Sequence, residues 1–149
     1  MKKILAVNLG RKTAWCMSET KNSGIINYLN VLDFFEKITK VIEEEKPKLI
    51  ITGSPIRNHN SFTLYYLLFG ILKLIAAQKA IFIKEYKKDK CKKTIFKNEK
   101  IPKYLIARHY QEKDPHIAEA MLLIDYYWRE PEGLWWLFLS TDFLKKTNY

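Results

Sequence analysis

A run of lysines with aromatic residues between them is the strongest chemical signal in the chain. Segment 84–103 contains nine Lys against three acidic residues, a local net charge of +6. Tyr86 and Phe96 within it, and Tyr104 just after it, have the spacing of stacking faces along a phosphate track. The segment therefore predicts nucleic-acid binding, and a solubilising loop remains the alternative. The candidate binding side chains are Arg57, Lys87, Lys88, Lys90, Lys92, Lys93 and Lys97.

The charge of the whole chain favours the same kind of partner. Lys and Arg total 26 against 16 Asp and Glu, a net charge of +10, and only four of the 26 are Arg. Lysine acts as a point charge on phosphate, whereas arginine is the usual bidentate reader of guanine. We expect a polyanion held by its backbone with little base readout. A merely basic surface, or a genome rich in Lys codons, is the alternative.

Other residues with chemical potential give weaker signals. His59 lies in a polar loop with Arg57, which either contacts phosphate or is an ordinary exposed loop. His109 is expected at the surface. The sequence has no Ser-His-acid arrangement with nucleophile spacing, and the segment after the first apolar run has one glycine, Gly10, instead of a glycine-rich phosphate loop.

The two cysteines exclude a disulfide framework and a zinc knuckle. Cys16 and Cys91 lie 75 residues apart, which favours reduced thiols in the cytoplasm or another reducing compartment. We expect the lysines around Cys91 to lower the pKa of its thiol.

A length of 149 residues fits one domain, whose elements must position these groups. Short apolar runs predict strands at 4–10, 13–17 and 25–29, followed by a helical period from 31 to 42. A fourth strand at 49–52 stops at Gly53-Ser54-Pro55, and a helix over 61–78 leads to a fifth strand at 80–83. Segment 84–103 is expected to be a solvated loop or short turn, followed by a helix from Pro102 to about Gln111 and a last helix opened by Asp114-Pro115. The order predicts an α/β fold, a mixed five-stranded sheet of three antiparallel strands and then parallel crossovers, flanked by helices.

Two segments, helix 62–77 and the run at 134–139, carry more apolar side chains than the core of one small domain is expected to bury. Helix 62–77 is apolar almost all round but too short to span a bilayer, and we expect neither a membrane span nor a targeting peptide. Its side chains favour a homodimer contact, with coverage by the tail as the alternative. We expect the aromatic run at 134–139 to pack on the body, to seal a dimer or to anchor a partner. The helix residues behind the dimer prediction are Tyr65, Tyr66, Leu68, Phe69 and Leu72.

Five segments, in this order, resemble the phage-type RuvC Holliday-junction resolvases of the ribonuclease H-like superfamily. The opening ILAVNLGRKTAW is similar to the family's aliphatic strand into Asp-Leu-Gly and Thr-Gly-Trp, and SGIINYL to its Ser-Gly strand. The segment KPKLIITGSP resembles Pro-Asp-Leu-Ile followed by Glu-Glu-Pro. YYLLFGILKLIAA resembles the central helix, and DPHIAEAMLLIDYY the closing helix. The resemblance implies a ribonuclease H-like RuvC-type domain over 1–128 and a separate aromatic extension over 129–149.

The resemblance also implies a reaction and its ligands. The family hydrolyses phosphodiesters with two divalent metals, Mg or Mn, held by acids at the ends of the first and fourth strands and by two groups on the last helix. In this sequence Asn8 stands at the first position and Gly53 or Ser54 at the second. His116, which the family allows, stands at the third, and Glu119 at the fourth.

The departures weaken that implied site. One amide, one missing side chain, one imidazole and one carboxylate cannot hold two ions roughly 3.5–4 Å apart. His116 and Glu119, three residues apart on one helix face, make at most a weak single-metal site. Asp114 is either a substitute ligand or a helix cap. Because Asn8 and the second position both depart, a naturally degenerate site is simpler than one engineered substitution.

Three hypotheses follow. The first is a resolvase homologue that binds branched or junction DNA with impaired or lost nuclease activity, as a homodimer through helix 62–77 and without a metal. The second is an active crossover-junction endodeoxyribonuclease that uses Mg or Mn, with Glu119, His116 and a further acid as ligands. The third is a structural or interaction protein that kept only the fold.

Overall fold

The computed structural model describes residues 3–55 and 62–130. The prediction for Arg57 and His59, and those for the tail beyond residue 130, lie outside these residues. None of the helices in these two ranges combines the length and the apolar character that a membrane span requires. The elements are β1 (Ile4–Asn8), β2 (Lys12–Met17), β3 (Ser23–Asn27), α1 (Val31–Glu45), β4 (Leu49–Ser54), α2 (Phe62–Gln78), β5 (Phe82–Lys87), α3 (Lys88–Phe96), α4 (Lys103–His109) and α5 (Pro115–Arg129).

The five strands form one mixed sheet in the order β3-β2-β1-β4-β5. The β1–β2 and β2–β3 pairs are antiparallel, and the β1–β4 and β4–β5 pairs are parallel. The predicted fold class is confirmed. Because carboxyl ends of parallel strands meet at one edge, Asn8, Ser54 and Lys87 end their strands side by side.

Local capping explains where two of the helices begin. The Asn30 side chain accepts a 2.8 Å hydrogen bond from the backbone N–H of Asp33 and starts α1. At α5, Asp114 accepts a 2.8 Å bond from the N–H of His116, with Pro115 in the first turn. Asp114 is therefore the helix cap that one of the two sequence interpretations predicted.

The sheet separates two apolar cores. Leu5, Val7 and Ile50 face α1 and α2, whereas Ile4, Ala6 and Ile51 face α3, α4 and α5. Successive side chains of a strand point to opposite faces. Asn8 and Gly53 therefore continue the face that α5 covers, and Thr52 and Ser54 continue the other.

Segment 84–103 is not the solvated loop that its composition predicted. Strand β5 begins and ends later than expected, at Phe82 and Lys87. Helix α3 follows it directly, so three helices come after β5 among the described residues, where the sequence predicted two. Tyr86 and Cys91 are buried in the α5-side core, and Ile95 packs against that core. Because Cys91 and Ile95 lie four residues apart, a single apolar stripe suffices to bury a helix that is otherwise rich in lysine.

Strand β4 also continues past its predicted stop. Gly53 and Ser54 pair with Tyr86 and Lys87 of β5 and belong to the strand. The neighbouring β5 strand provides the partner that extends β4 through a glycine.

Helix α2 buries most of the residues that suggested a dimer contact. Tyr65, Leu68, Phe69 and Leu72 lie in the core beneath the sheet, so the sequence interpretation was wrong for these four, while Tyr66 is exposed. On the outer side of the helix, Tyr66 is joined by three exposed apolar residues that were not predicted, Phe62, Leu67 and Leu74.

Candidate functional site

The four positions that the resemblance singled out meet at the carboxyl edge of the parallel strands. Val7 pairs with Thr52, so Asn8 at the end of β1 lies beside Gly53 of β4. Helix α5 packs over this face of the sheet. The Asn8 amide nitrogen donates to the backbone carbonyl of His116 at 3.1 Å, which ties β1 to the first turn of α5.

Gly53, and not Ser54, is the β4 position that faces this cleft. The Ser54 hydroxyl lies on the opposite face and donates to the carbonyl of Tyr86 at 3.2 Å. A Cβ added to Gly53 would lie 2.8 Å from the Cγ of Lys88 and 2.8 Å from a methyl carbon of Leu123. The space that a side chain at Gly53 would need is therefore filled by the aliphatic stem of Lys88.

Lys88 brings an ammonium group into the centre of the cleft. Its Nζ atom donates a 2.5 Å hydrogen bond to Oδ1 of Asn8 and lies 3.8 Å from Oε2 of Glu119. The chain thus supplies its own cation between the end of β1 and the middle of α5.

Glu119 is surrounded by further ammonium groups. Its side chain is 2% exposed; Nζ of Lys92 lies 3.9 Å from Oε2 and Nζ of Lys103 lies 3.4 Å from Oε1. The Lys103 ammonium is close enough for an ion pair but is not aligned for a hydrogen bond, so among the described residues Oε1 has no hydrogen-bond partner. Burial alone would raise the pKa of Glu119, but the surrounding ammonium groups, Lys88 first, outweigh burial and lower it.

The balance of charge in the cleft is positive. Three ammonium groups face one carboxylate, a surplus of +2 when all are charged. Burial lowers the pKa of Lys88, and the Glu119 carboxylate opposes that shift. Burial also lowers the pKa of His116, with Lys103 adding to the effect, which favours the neutral imidazole.

The residues of the cleft do not fit the two divalent metals that the resemblance implies. The Asn8 carbonyl oxygen already accepts from Lys88, and both oxygens of Glu119 face ammonium groups. Asp114 caps α5 and lies 3.7 Å from the Lys12 ammonium. Over 3–55 and 62–130, no three His, Cys, Asp or Glu side chains form a group that could hold a metal ion.

Five of the six predicted nucleic-acid-binding lysines separate into two sets, and the sixth, Lys87 at the end of β5, is exposed. Lys88 and Lys92, four residues apart on α3, turn inward to Glu119. The outer face of α3 carries an open groove of about 520 Å³. The groove is lined by Lys90, Lys93, Thr94 and Lys97.

Of the three aromatic residues predicted to stack on bases, one is well exposed. Tyr86 is buried with its ring centroid 4.9 Å from that of Tyr126, and Phe96 packs edge-on against His109 at 4.9 Å. The stacking prediction for Tyr86 was therefore wrong. Tyr104 is 62% exposed and His109 is exposed as expected.

The expectation of a lowered thiol pKa at Cys91 was also wrong. Burial raises the pKa of Cys91 to about 12, and Lys90 lowers it only slightly. Burial likewise raises the pKa of Cys16 to about 12. Both cysteines are free and buried.

Sequence reasoning missed the inward lysines of this cleft. It placed Lys88 and Lys92 among solvent-exposed phosphate contacts and did not select Lys103. Two signals pointed to the arrangement: the four-residue spacing of Lys88 and Lys92, which puts them on one helix face, and the missing side chain at Gly53.

The fold is shared with known structures. No protein-family model and no curated protein matches this chain. The chain is similar to Thermus thermophilus RuvC in complex with a Holliday junction substrate, with a TM-score of 0.67 and 9% identity, over 85% of this chain and 93% of that one. A second Thermus thermophilus RuvC structure has a TM-score of 0.64 and 11% identity, over 85% of this chain and 95% of that one. The chain therefore has a RuvC-like, ribonuclease H-like fold.

Proposed function

We propose that this chain is a RuvC-type protein that binds branched DNA and has lost metal-dependent cleavage. The observation that carries the proposal is the Lys88 ammonium between Asn8 and Glu119, at 2.5 Å and 3.8 Å. It supplies positive charge at the place where the resembled family implies divalent ions. The proposal includes no Mg or Mn cofactor.

The proposed DNA binding rests on charge and on the structural neighbour. The net charge is +10, and the α3 groove presents Lys90, Lys93 and Lys97 to solvent. Thermus thermophilus RuvC, whose fold this chain shares, is known in complex with a Holliday junction substrate. Phosphate contacts of this kind position a protein on bent or branched DNA, and shape then supplies discrimination.

The proposed loss of cleavage follows from electrostatics. Two-metal hydrolysis needs anionic oxygen ligands that bridge the ions and offset their charge. Here the cleft offers one carboxylate against three ammonium groups. A divalent cation entering it would be repelled by the lysines and would have to displace Lys88 from Asn8.

A gel-shift experiment tests the proposal. Four-way junction and linear duplex of the same base composition are compared at 50 mM and 200 mM salt, concentrations that separate phosphate-driven binding from other binding. We expect the junction to be retained more strongly than the duplex, with affinity falling steeply as salt rises. The same junction incubated with Mg²⁺ or Mn²⁺ should remain uncut.

Matched variants locate the surface. Replacing Lys90, Lys93 and Lys97 together by Gln should weaken junction binding by about tenfold or more and reduce the salt slope. The control replaces three exposed lysines on other elements by Gln and so removes the same charge elsewhere. These are Lys37 and Lys40 of α1 and Lys79 of the turn between α2 and β5. Junction cleavage that is lost in Glu119→Ala would favour the active-endonuclease hypothesis instead. No junction binding at low salt would favour a structural protein.

The apolar outer face of α2 supports a homodimer as part of this proposal. Phe62, Tyr66, Leu67 and Leu74 lie along the outer side of the helix at 37–57% exposure. A patch of large apolar side chains on one helix face is typical of a protein–protein contact. Two free, buried thiols accord with a reducing, cytoplasm-like compartment.

A further inference from the structure

We propose that the ammonium groups of Lys88, Lys92 and Lys103 form a binding site for a phosphate group of a nucleic-acid backbone, in the cleft where the resembled family implies metal ions. The site would take an anion directly, with no bridging cation. This inference rests on the proposed function and names the ligand chemistry of the same cleft.

The first argument is the uncompensated charge. Glu119 neutralises one of the three ammonium groups around it, and a surplus of +2 remains when all three are charged. The side chains of Lys88 and Lys92 are 15% and 11% exposed, so much of their hydration is lost. Partly buried charges need compensation, and an entering anion supplies it.

The second argument is the geometry of the donors. Nζ of Lys88 and Nζ of Lys92 lie 3.8 Å and 3.9 Å from the same oxygen of Glu119, beyond hydrogen-bond distance. An ammonium group carries three donors, and Lys88 directs one of them to Asn8. Both groups therefore keep N–H donors for a tetrahedral anion with several acceptor oxygens.

The third argument is that the cleft holds Lys88 in place from two sides. Asn8 is fixed by its bond to the His116 carbonyl and accepts from the Lys88 ammonium. The missing side chain at Gly53 leaves room for the Lys88 stem. A long lysine side chain loses much of its rotamer freedom in such a setting before any ligand arrives, which lowers the entropic cost of binding.

Lys103 makes the site reachable. It lies in the first turn of α4, and its side chain is 53% exposed. Lys103 thus connects the buried pair on α3 with solvent.

Backbone amide NMR with inorganic phosphate as the probe tests the site, at constant ionic strength maintained with chloride. In the wild-type chain we expect phosphate to shift the amides around Glu119 at the centre of α5. Lys92→Met and Lys103→Met should each weaken this binding by about fivefold or more. Of the two variants, Lys103→Met is the less disruptive to folding, because the Lys103 side chain lies largely in solvent. Lys100→Met is the control, with the same charge change at an exposed site. Glu119→Gln should tighten phosphate binding by about fivefold, because it removes the competing anion.

The results separate the inference from the proposed function. Phosphate shifts confined to the outer face of α3, or equal affinities for Lys103→Met and Lys100→Met, would overturn the inference even if the junction is bound. Looser phosphate binding by a folded Glu119→Gln would also overturn it. Phosphate binding in the cleft as described, together with no binding of junction DNA, would support the phosphate site and contradict the proposed function.

Discussion

The Nζ atom of Lys88 lies 2.5 Å from Oδ1 of Asn8, and the aliphatic stem of the same lysine occupies the space that a side chain at Gly53 would need. Lys88 therefore links two positions that the resemblance singled out. The Asn8 side chain accepts from the Lys88 ammonium through its oxygen and donates to the His116 carbonyl through its nitrogen, which a carboxylate could not do. The glycine at position 53 leaves the space that the Lys88 stem occupies.

Gly53→Ala should destabilise the protein because its new methyl group would crowd Lys88 and Leu123, each at 2.8 Å. Overpacking of this kind costs about 1–3 kcal/mol, measurable by urea unfolding. Gly10→Ala is the control: its Cβ would meet only the Lys12 carbonyl oxygen, at an ordinary contact distance of 3.7 Å, and it should be neutral or stabilise by up to about 1 kcal/mol. Equal effects of the two substitutions would contradict the proposed packing.

The contact between Gly53 and Lys88 predicts thermodynamic coupling. Lys88→Ala removes one of the two crowding side chains, so Gly53→Ala should cost less in that background. We expect the double variant to be more stable than the sum of the single effects by about 1 kcal/mol. The recovery should be incomplete because Leu123 remains in place. Additive effects would mean that the lysine stem does not fill this space.

Introducing an acid at position 8 alone should not create a metal site. In Asn8→Asp the new carboxylate would pair with Lys88, whose ammonium already contacts this position. Asn8→Asp combined with Lys88→Met removes the ammonium group that lies between the two carboxylates, although Lys92 and Lys103 still face Glu119. We expect the double variant to bind Mn²⁺ roughly tenfold tighter than the single variant. Titration of free Mn²⁺ by electron paramagnetic resonance measures both. Tight Mn²⁺ binding by the wild-type chain would contradict the account of the cleft.

The fold was predictable because it depends on patterns that tertiary contacts reinforce. Buried runs such as 4–7 and 49–52 have the composition of strands, and the helical period from Val31 marks α1. The end of β4 was not predictable, since Gly53 and Ser54 join the strand only through pairing with β5. Segment 84–103 was misjudged because its apolar stripe, Cys91 and Ile95, is short and hidden among lysines.

The site was predictable in its positions but not in its charges. The resemblance selected Asn8, His116 and Glu119, which the structure brings to one cleft. Which side chains approach Glu119 depends on how α3 packs against α5, and a linear pattern of lysines does not contain that information. Lys92 and Lys97 read alike in the sequence, yet one turns to a buried carboxylate and the other to an open groove.

Glu119→Gln should destabilise the protein in a pH-dependent manner. Glu119 has a lowered pKa in the folded state, so its stabilising contribution is complete above its ordinary pKa of 4.5 and is lost as pH falls through the folded-state value. At pH 7 the glutamine leaves three ammonium groups uncompensated, at a cost of roughly 3 kcal/mol. The stability difference from wild type should shrink as pH falls below 4.5. Glu99→Gln, at an exposed site, should change stability by less than about 0.5 kcal/mol at any pH.

Both cysteines should resist modification in the folded chain. Burial raises the pKa of Cys16 and Cys91 to about 12, so almost no thiolate exists at pH 7, and the thiolate is the reactive form. We expect the reaction with Ellman's reagent to be at least about 100-fold slower in the native protein than in urea. Rapid modification of one thiol without loss of helical circular dichroism would contradict the burial of that residue.

The outer face of α2 should hold two copies of the chain together. Leu67 and Leu74 are 50% and 57% exposed, two turns apart on the same helix, and pairing two such faces would remove their apolar surface from water. Leu67→Lys with Leu74→Lys should therefore convert a dimer into a monomer in sedimentation experiments. Leu29→Lys, at a 94% exposed leucine outside α2, is the control and should leave the dimer intact. A wild-type chain that sediments as a monomer would refute the contact, because there would then be no dimer for the two substitutions to disrupt.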